Sequence, residues 1–194
     1  MKTFLTTVIL CFCLYQSYSQ TLTDKDFNSL IPFLQKEDWK SAFDQSTKLL
    51  KSTESDTSAY HAKILYINIF SAAGMVSEGK MTYSALSKNV MKYKGQKVIM
   101  PFHPVSDNIP LSATSLTVND SVNQAFTSVA NSLGTNIFCF ETFDIKDKIN
   151  VLDFPENSLA QCGGMLDKIE TNPNKSKIWI LRLTVTNAFI HKDN

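Results

Sequence analysis

Arginine is almost absent from this sequence: Arg182 is the only one among 19 basic residues, and all the others are lysines. The 18 acidic residues nearly balance them, so the formal net charge of the chain is +1. Nucleic-acid binding proteins usually carry a basic excess that neutralises phosphates, together with arginines that contact them in a bidentate way. The composition therefore disfavours nucleic acid and anionic membrane surfaces as partners.

The sequence also lacks the short motifs of common catalytic and nucleotide-binding sites, namely the Walker loop, the GxSxG nucleophile elbow, the HExxH zinc motif and the dinucleotide fingerprint. Gly163 and Gly164 are followed by neither a third glycine nor a predicted helix, so they do not resemble a phosphate loop. Neither Cys139 nor Cys162 has a neighbouring Cys or His at zinc-ligand spacing. We therefore expect no metal and no other cofactor.

The longest apolar run lies at the N-terminus, where Lys2 precedes a hydrophobic stretch from Phe4 to Leu14. Ser17-Tyr18-Ser19 then places small residues where a signal peptidase reads the chain, with Gln20 as the new first residue. We predict that residues 1–19 are a signal peptide and that the protein is secreted or periplasmic. A permanent anchor is the weaker alternative, because the run is too short for a bilayer core of about 30 Å. No transmembrane segment is expected after cleavage.

Cysteine is scarce in the mature chain, since Cys11 and Cys13 leave with the signal peptide and only Cys139 and Cys162 remain. A disulfide between these two would close a loop of about 24 residues and contribute roughly 3 kcal/mol in the chain-entropy model. An oxidising compartment favours such a bond. Two buried reduced thiols are the alternative, because cysteine packs like a small apolar residue. The sequence leaves both alternatives open.

Residues 20–94 are predicted to form a helical unit of about four helices arranged as hairpins. A first helix begins after Thr23, Asp56 caps a longer and more buried one, and Thr82 opens the last, which ends at Gly95. The clearest amphipathic pattern lies between the first two of these, with apolar or small residues at helical spacing. These residues are Trp39, Ala42, Phe43, Ser46, Leu49 and Leu50.

The segment Glu37-Asp38-Trp39-Lys40-Ser41-Ala42-Phe43, with Leu49 and Leu50, resembles the second helix of a tetratricopeptide-type hairpin. The resemblance covers about residues 23–94 and implies a concave surface that binds peptides or partner proteins. It assigns no individual binding residue. The lysine- and asparagine-rich composition resembles that of secreted proteins of the Bacteroidota type.

Residues 95–194 are predicted to form an α+β module with a mixed, mostly antiparallel sheet or a small barrel, and one helix. The strongest strand runs from Trp179 to Phe189, where apolar and polar residues alternate. The helix is placed after Asn119 or Asp120, with Val122, Phe126, Val129, Ala130 and Leu133 on one face. The other strand predictions are 97–102, 114–118, 135–143, 149–154 and 159–169. The order of elements resembles oligonucleotide-binding barrels at the level of fold alone.

Two residues are candidates for chemistry. His103 lies in a proline-rich loop, and Glu141 lies on a strand that is otherwise apolar on both faces. The simplest interpretation of Glu141 is an acid that faces solvent or pairs with a lysine or with Arg182, and Arg182 itself is expected to face solvent. A small hydrolase that uses Glu141, or another acid, with His103 is an alternative.

The sequence therefore favours a secreted or periplasmic, non-enzymatic binding or envelope-accessory protein whose partner is a protein or peptide. The absence of a recognisable catalytic set is the main reason for preferring binding to catalysis. A small secreted hydrolase is the first alternative. A single-strand nucleic-acid binder on an oligonucleotide-binding type of barrel is the second, and it requires exposed aromatic residues flanked by lysines.

Overall fold

The computed structural model describes residues 21–53, 55–108, 113–174 and 179–193. The predicted signal peptide, residues 1–19, lies outside the described residues, as does Gln20. The described chain is α+β, with helices in the N-terminal half and a sheet in the C-terminal half. The predicted fold class is confirmed.

In the described residues, the N-terminal half contains five helices and a 3₁₀ turn. They are α1 (Asp24–Asn28), α2 (Ile31–Gln35), α3 (Trp39–Ser52), α4 (Ala59–Ser77), α5 (Tyr83–Val90) and the turn Met91–Tyr93. The side chains of Asp38, Ser58 and Thr82 cap α3, α4 and α5 by accepting hydrogen bonds from main-chain N–H groups. Asp56 does not cap α4 as predicted; it accepts a hydrogen bond from the N–H of Ser58, the actual cap.

Seven strands form one sheet in the described C-terminal half. They are β1 (Lys97–Ile99), β2 (His103–Pro104), β3 (Ser115–Asn119), β4 (Gln124–Ala130), β5 (Ile137–Ile145), β6 (Leu159–Thr171) and β7 (Trp179–Lys192). The strand order is β1-β6-β7-β5-β4-β3, and β2 also pairs with β6. Strands β5 and β7 run parallel, whereas the other pairs are antiparallel. Of the two predicted alternatives, the structure shows the mixed sheet, which is open apart from an isolated bridge between Val105 and Leu116.

The helix predicted after Asn119 is wrong, because Gln124–Ala130 forms strand β4 between β3 and β5. The β-branched residues Thr127 and Val129 are buried at alternate positions, and hydrogen bonding along both edges favours the strand over the competing helical pattern. Asn119 accepts a hydrogen bond from the N–H of Ser121 in the turn before β4 instead of capping a helix.

The strand predicted at residues 149–154 is also wrong. The chain there forms a 3₁₀ turn, Val151–Asp153, which begins where the side chain of Asn150 accepts a hydrogen bond from the N–H of Leu152. The remaining strand predictions correspond to β1, β3, β5, β6 and β7. The predicted boundary near Gly95 lies between the first 3₁₀ turn and β1.

Helix α4 lies at the centre of the molecule. It is apolar around its whole circumference, and most of its residues are buried. It packs against α3 on one side and against β1, β5 and β7 on the other. Buried residues of both halves therefore belong to one hydrophobic core.

Asn68 is a buried polar residue of α4 whose side chain is fully hydrogen-bonded. Its Nδ2 donates to Oγ of Ser46 at 2.9 Å, to Oγ1 of Thr47 at 2.8 Å and to the main-chain oxygen of Phe43 at 3.3 Å. Its Oδ1 accepts from the hydroxyl of Tyr93 at 3.0 Å. This network connects α3, α4 and the 3₁₀ turn without leaving the amide unpaired.

Gly74 allows a close approach between α4 and Trp39 of α3. A Cβ atom at Gly74 would lie 2.4 Å from the nearest carbon of the Trp39 ring, far inside van der Waals contact. The ring is held in this position by edge-to-face contacts with Phe70 and Phe138, at centroid distances of 5.3 and 5.0 Å. The glycine is therefore required by packing rather than by helix formation.

We expect Gly74→Ala to lower the free energy of unfolding by about 1–3 kcal/mol, because the Trp39 ring must move. This sign is opposite to the gain of about 1 kcal/mol that alanine normally provides over glycine inside a helix. Urea unfolding followed by circular dichroism measures the change. In a Trp39→Leu background the loss should shrink or reverse, and an equal loss in both backgrounds would contradict the packing argument.

Candidate functional site

An open cavity of about 330 Å³ lies between the helices and the sheet. It is bordered by residues of α3 and α4, of β2 and β4, and of adjoining segments. They are Leu34, Glu37, Trp39, Tyr66, Ile67, Phe70, Pro101, His103, Thr114, Val129, Ala130 and Ser132. The lining is mainly apolar with a few polar groups, and the volume is within the range of small-molecule sites.

Aromatic side chains form one wall of this cavity. The rings of Trp39 and Phe70 line the cavity, and both meet Phe138, which lies outside the lining, edge to face; the three centroids are 5.0–5.3 Å apart. The ring of Tyr66 stacks on that of Phe70 at 6.2 Å. Because each ring is fixed by two or more neighbours or by the helix that carries it, the wall is formed before any ligand binds.

A hydrogen bond connects the helical half to the sheet beside the cavity. The Oε1 atom of Glu37, between α2 and α3, accepts from the main-chain N–H of Ser132 at 2.6 Å. Ser132 lies in the turn between β4 and β5, so two segments far apart in sequence meet here. Glu37 has a φ of 52°, in the left-handed region that non-glycine residues rarely adopt.

His103 lies on β2 and lines the cavity with only 7% of its surface exposed. Burial lowers the pKa of its imidazole from 6.5 to about 4, and the nearby carbonyl of Phe102 opposes this change only partly. The ring is therefore neutral at pH 7. Its Nε2 atom is buried and has no hydrogen-bond partner among the described residues.

Glu141 faces the interior of the protein, so the prediction that it faces solvent or pairs with a cation is wrong. It lies on β5 in the alternating buried series Cys139, Glu141 and Phe143, and it is 2% exposed. Thr127 of β4 lies directly opposite and donates its hydroxyl to Oε2 of the carboxyl group. The position of Glu141 in the alternating series was the sequence signal for burial.

Burial raises the pKa of the Glu141 carboxyl above its ordinary value, and hydrogen bonding from Thr127 opposes the shift. The hydroxyl of Tyr66 and the thiol of Cys139 also act on this carboxyl through side-chain hydrogen bonds, which oppose the shift in the same way. The Thr127 hydroxyl is the partner with the most favourable geometry.

Tyr66 is the residue of the site that sequence reasoning missed. It lies in the apolar sequence of α4, where a tyrosine has the same helical spacing as the core residues around it. Burial is the main reason that the pKa of its hydroxyl is raised well above 10.0, and the charge of Glu141 is the second. The phenol therefore stays protonated. Tyr66 lines the cavity on one side and approaches Glu141 on the other.

Cys139 and Cys162 are buried free thiols in this structure, on strands that flank β7. The disulfide alternative stays a prediction. Burial raises the pKa of both thiols well above the ordinary value, and the charge of Glu141 acts in the same direction. Since a thiolate is the reactive form of cysteine, both groups are poor nucleophiles in this environment.

The acid–base pair of the predicted hydrolase is not coupled electrostatically. Glu141 is not among the groups that shift the pKa of His103, which responds to burial and to the carbonyl of Phe102. Glu141 responds instead to burial and to Thr127, Tyr66 and Cys139. The hydrolase stays a prediction, and its Glu141–His103 version has no electrostatic coupling between the two groups.

Arg182 is exposed, as predicted, and its guanidinium lies 4.3 Å from the ring centroid of Trp179. It therefore makes a cation–π contact on the surface rather than binding Glu141. Phe102 is the one aromatic among the well-exposed large apolar side chains of the described chain. The single-strand nucleic-acid binder thus stays a prediction that this surface does not favour.

A second cleft of about 320 Å³ lies between α3, the start of α4 and the first 3₁₀ turn. Lys51, His61 and Lys92 are among the residues that line it. None of its lining residues carries a buried, unpaired polar atom in the part of the chain that the structure describes. The first cavity is the stronger candidate, because its lining is more apolar and includes the aromatic side chains of Trp39, Tyr66 and Phe70.

No protein-family model matches this chain, and no curated protein matches its sequence significantly. Across the described ranges, no group of three or more His, Cys, Asp and Glu residues is placed to hold a metal ion. None of the described helices has the length and apolar character needed to cross a membrane. The candidate site therefore has to be interpreted from its own geometry.

The low pKa of His103 predicts a loss of stability in mild acid. Because the unfolded chain binds a proton near pH 6.5 and the folded chain only near pH 4, stability falls as the pH decreases between these values. Relative to His103→Gln, the wild type should lose about 2 kcal/mol of unfolding free energy between pH 7 and pH 4.5. Urea unfolding at several pH values measures this difference, and parallel profiles for the two proteins would refute it.

The raised pKa of Glu141 predicts the opposite dependence of the unfolding free energy on pH. Since its pKa is raised in the folded state, the unfolded chain loses the proton first, and stability falls as the pH rises from about 4.5 through the folded pKa. Relative to Glu141→Gln, the wild type should therefore become less stable with increasing pH. Thermal unfolding of both proteins between pH 4 and pH 8 tests the sign, with the exposed change Glu156→Gln as the control.

Proposed function

We propose that this chain is a non-enzymatic binding protein that holds a small, mainly apolar molecule in the cavity between its helices and its sheet. The observation that carries the proposal is the cavity itself, which has a volume of about 330 Å³ and a mainly apolar lining that includes Trp39, Tyr66 and Phe70. The apolar run within residues 1–19 supports export of the protein before it binds its ligand.

An apolar ligand in this cavity would displace water from the rings of Trp39 and Phe70, and burying that apolar surface would stabilise the complex. The volume of about 330 Å³ is roughly twice that of a 150 Å³ apolar cavity that admits benzene. The cavity is therefore large enough for a molecule of about ten heavy atoms.

Two features favour binding over catalysis. The thiols near the site have raised pKa values, so they are unreactive, and His103 has a pKa too low for a general base near neutral pH. The aromatic wall is rigid, which lowers the entropic cost of binding. The protein or peptide partner predicted from the helical half stays a separate prediction that rests on the tetratricopeptide resemblance.

Trp39 provides a reporter for this proposal, since Trp39 and Trp179 are the two tryptophans of the chain. In a Trp179→Phe background, we expect 1-octanol to change the emission of Trp39 in a saturable way. Ala130→Leu fills part of the cavity and should weaken binding about tenfold, because a few buried methylenes contribute roughly this much.

The matched control is Ala85→Leu, the same substitution at a partly buried alanine of α5 outside the cavity. It should leave the affinity for 1-octanol unchanged. An unsaturable response in the wild type, or equal weakening by both substitutions, would contradict the proposal.

A further inference from the structure

The second cleft, of about 320 Å³, has a positively charged lining that the proposed function does not use. Lys51 from the last turn of α3 and Lys92 from the first 3₁₀ turn both border it, and no acidic residue does so among the described residues. Neither lysine forms an ion pair with a described residue. In a chain whose charges nearly balance, these two ammonium groups make the cleft a locally positive site.

The sequence around Lys92 extends this positive charge. Residues 79–106 contain five lysines and no aspartate or glutamate. The side chains of Lys88, Lys92 and Lys94 in this segment are all exposed. Clustered lysines of this kind attract anions to one side of a molecule, most strongly at low ionic strength.

Tyr93 forms a fixed wall of the cleft and places one of the two charges. Its hydroxyl donates to Oδ1 of Asn68 at 3.0 Å, and the amide of Asn68 is anchored on α3 by hydrogen bonds to Ser46 and Thr47. The ammonium of Lys92 lies 4.8 Å from the centroid of the Tyr93 ring, in a cation–π contact. Because Asn68 fixes a ring that lines the cleft, Lys92 is held at the cleft as well.

The other titratable groups at the cleft do not cancel its positive charge. His61 lines the cleft, and burial lowers its pKa below 6.5 although the charge of Asp56 acts in the opposite direction, so the ring is neutral at pH 7. Asp56 is not among the lining residues. Its carboxylate accepts hydrogen bonds from the N–H groups of Leu22 at 2.7 Å and Ser58 at 2.8 Å, so main-chain dipoles partly compensate its charge.

We propose that this cleft binds a small organic anion whose charged group lies between Lys51 and Lys92 and whose apolar body packs against Leu50 and Tyr93. Exposed lysines alone bind a bare anion weakly, so the apolar body supplies much of the affinity. The cleft is large enough for a naphthyl ring, since a cavity of about half its volume admits benzene. The site is separate from the first cavity, so either proposal can fail without the other.

Three probes separate charge from apolar contact at pH 7: 2-naphthoate, the neutral 2-naphthamide of almost the same shape, and acetate, which has the charge without the apolar body. We expect 2-naphthoate to bind about tenfold more tightly than 2-naphthamide, because the two ammonium groups attract only the carboxylate. Acetate should bind at least about tenfold more weakly than 2-naphthoate, because it buries little apolar surface. Added NaCl should weaken 2-naphthoate but not 2-naphthamide. Isothermal titration calorimetry measures all three affinities.

Lysine variants assign the binding to the cleft. Lys51→Gln and Lys92→Gln should each weaken 2-naphthoate about threefold, and the double variant should bring it within about twofold of 2-naphthamide. The matched control is Lys148→Gln, which removes the same charge from an exposed lysine in the loop after β5 and should leave the affinity unchanged. Ala130→Leu, which fills part of the first cavity, should also leave it unchanged.

Several results would overturn the proposal. They are no binding of 2-naphthoate, equal binding of 2-naphthamide or acetate, and full affinity for 2-naphthoate in the double lysine variant. Loss of 2-naphthoate binding in Ala130→Leu would place the probe in the first cavity and would equally overturn it. The three substituted lysines are exposed, so we expect the variants to fold, and circular dichroism verifies this.

Discussion

The burial of α4 beneath the sheet is the constraint on which the rest of this structure depends. An apolar helix of this length can be covered only if α3 on one side and the strands on the other both supply apolar surface. Gly74 follows from the same constraint, since it lets Trp39 approach the helix backbone. The packing of Trp39 against Phe70 in turn forms the wall of the cavity.

Polar residues on α4 fall into two kinds, and the difference locates the candidate site. Asn68 satisfies both ends of its amide within the protein, and it joins three elements in doing so. Tyr66, half a turn away, lines the cavity and interacts through its hydroxyl with the Glu141 carboxyl of β5. Its polar group therefore connects α4 to the sheet beside the cavity.

Burial disfavours charge in the interior around the cavity. It lowers the pKa of His103 and raises that of Glu141, because the charged form of each group is removed from water. The two residues therefore make opposite contributions to stability between about pH 4.5 and pH 6.5.

The α+β class, the long helix and the final strand were predictable from the sequence, because a long apolar segment indicates a buried helix and strict alternation indicates a strand. The signal peptide is likewise a prediction from local pattern alone. Strand β4 was mistaken for a helix, since its apolar spacing satisfies both periods and only pairing with β3 and β5 distinguishes them. The inward orientation of Glu141, and its meeting with Tyr66 beside the cavity that His103 lines, were decided by tertiary structure. These residues lie on α4, β2 and β5. Sequence patterns do not indicate which faces of those elements pack together.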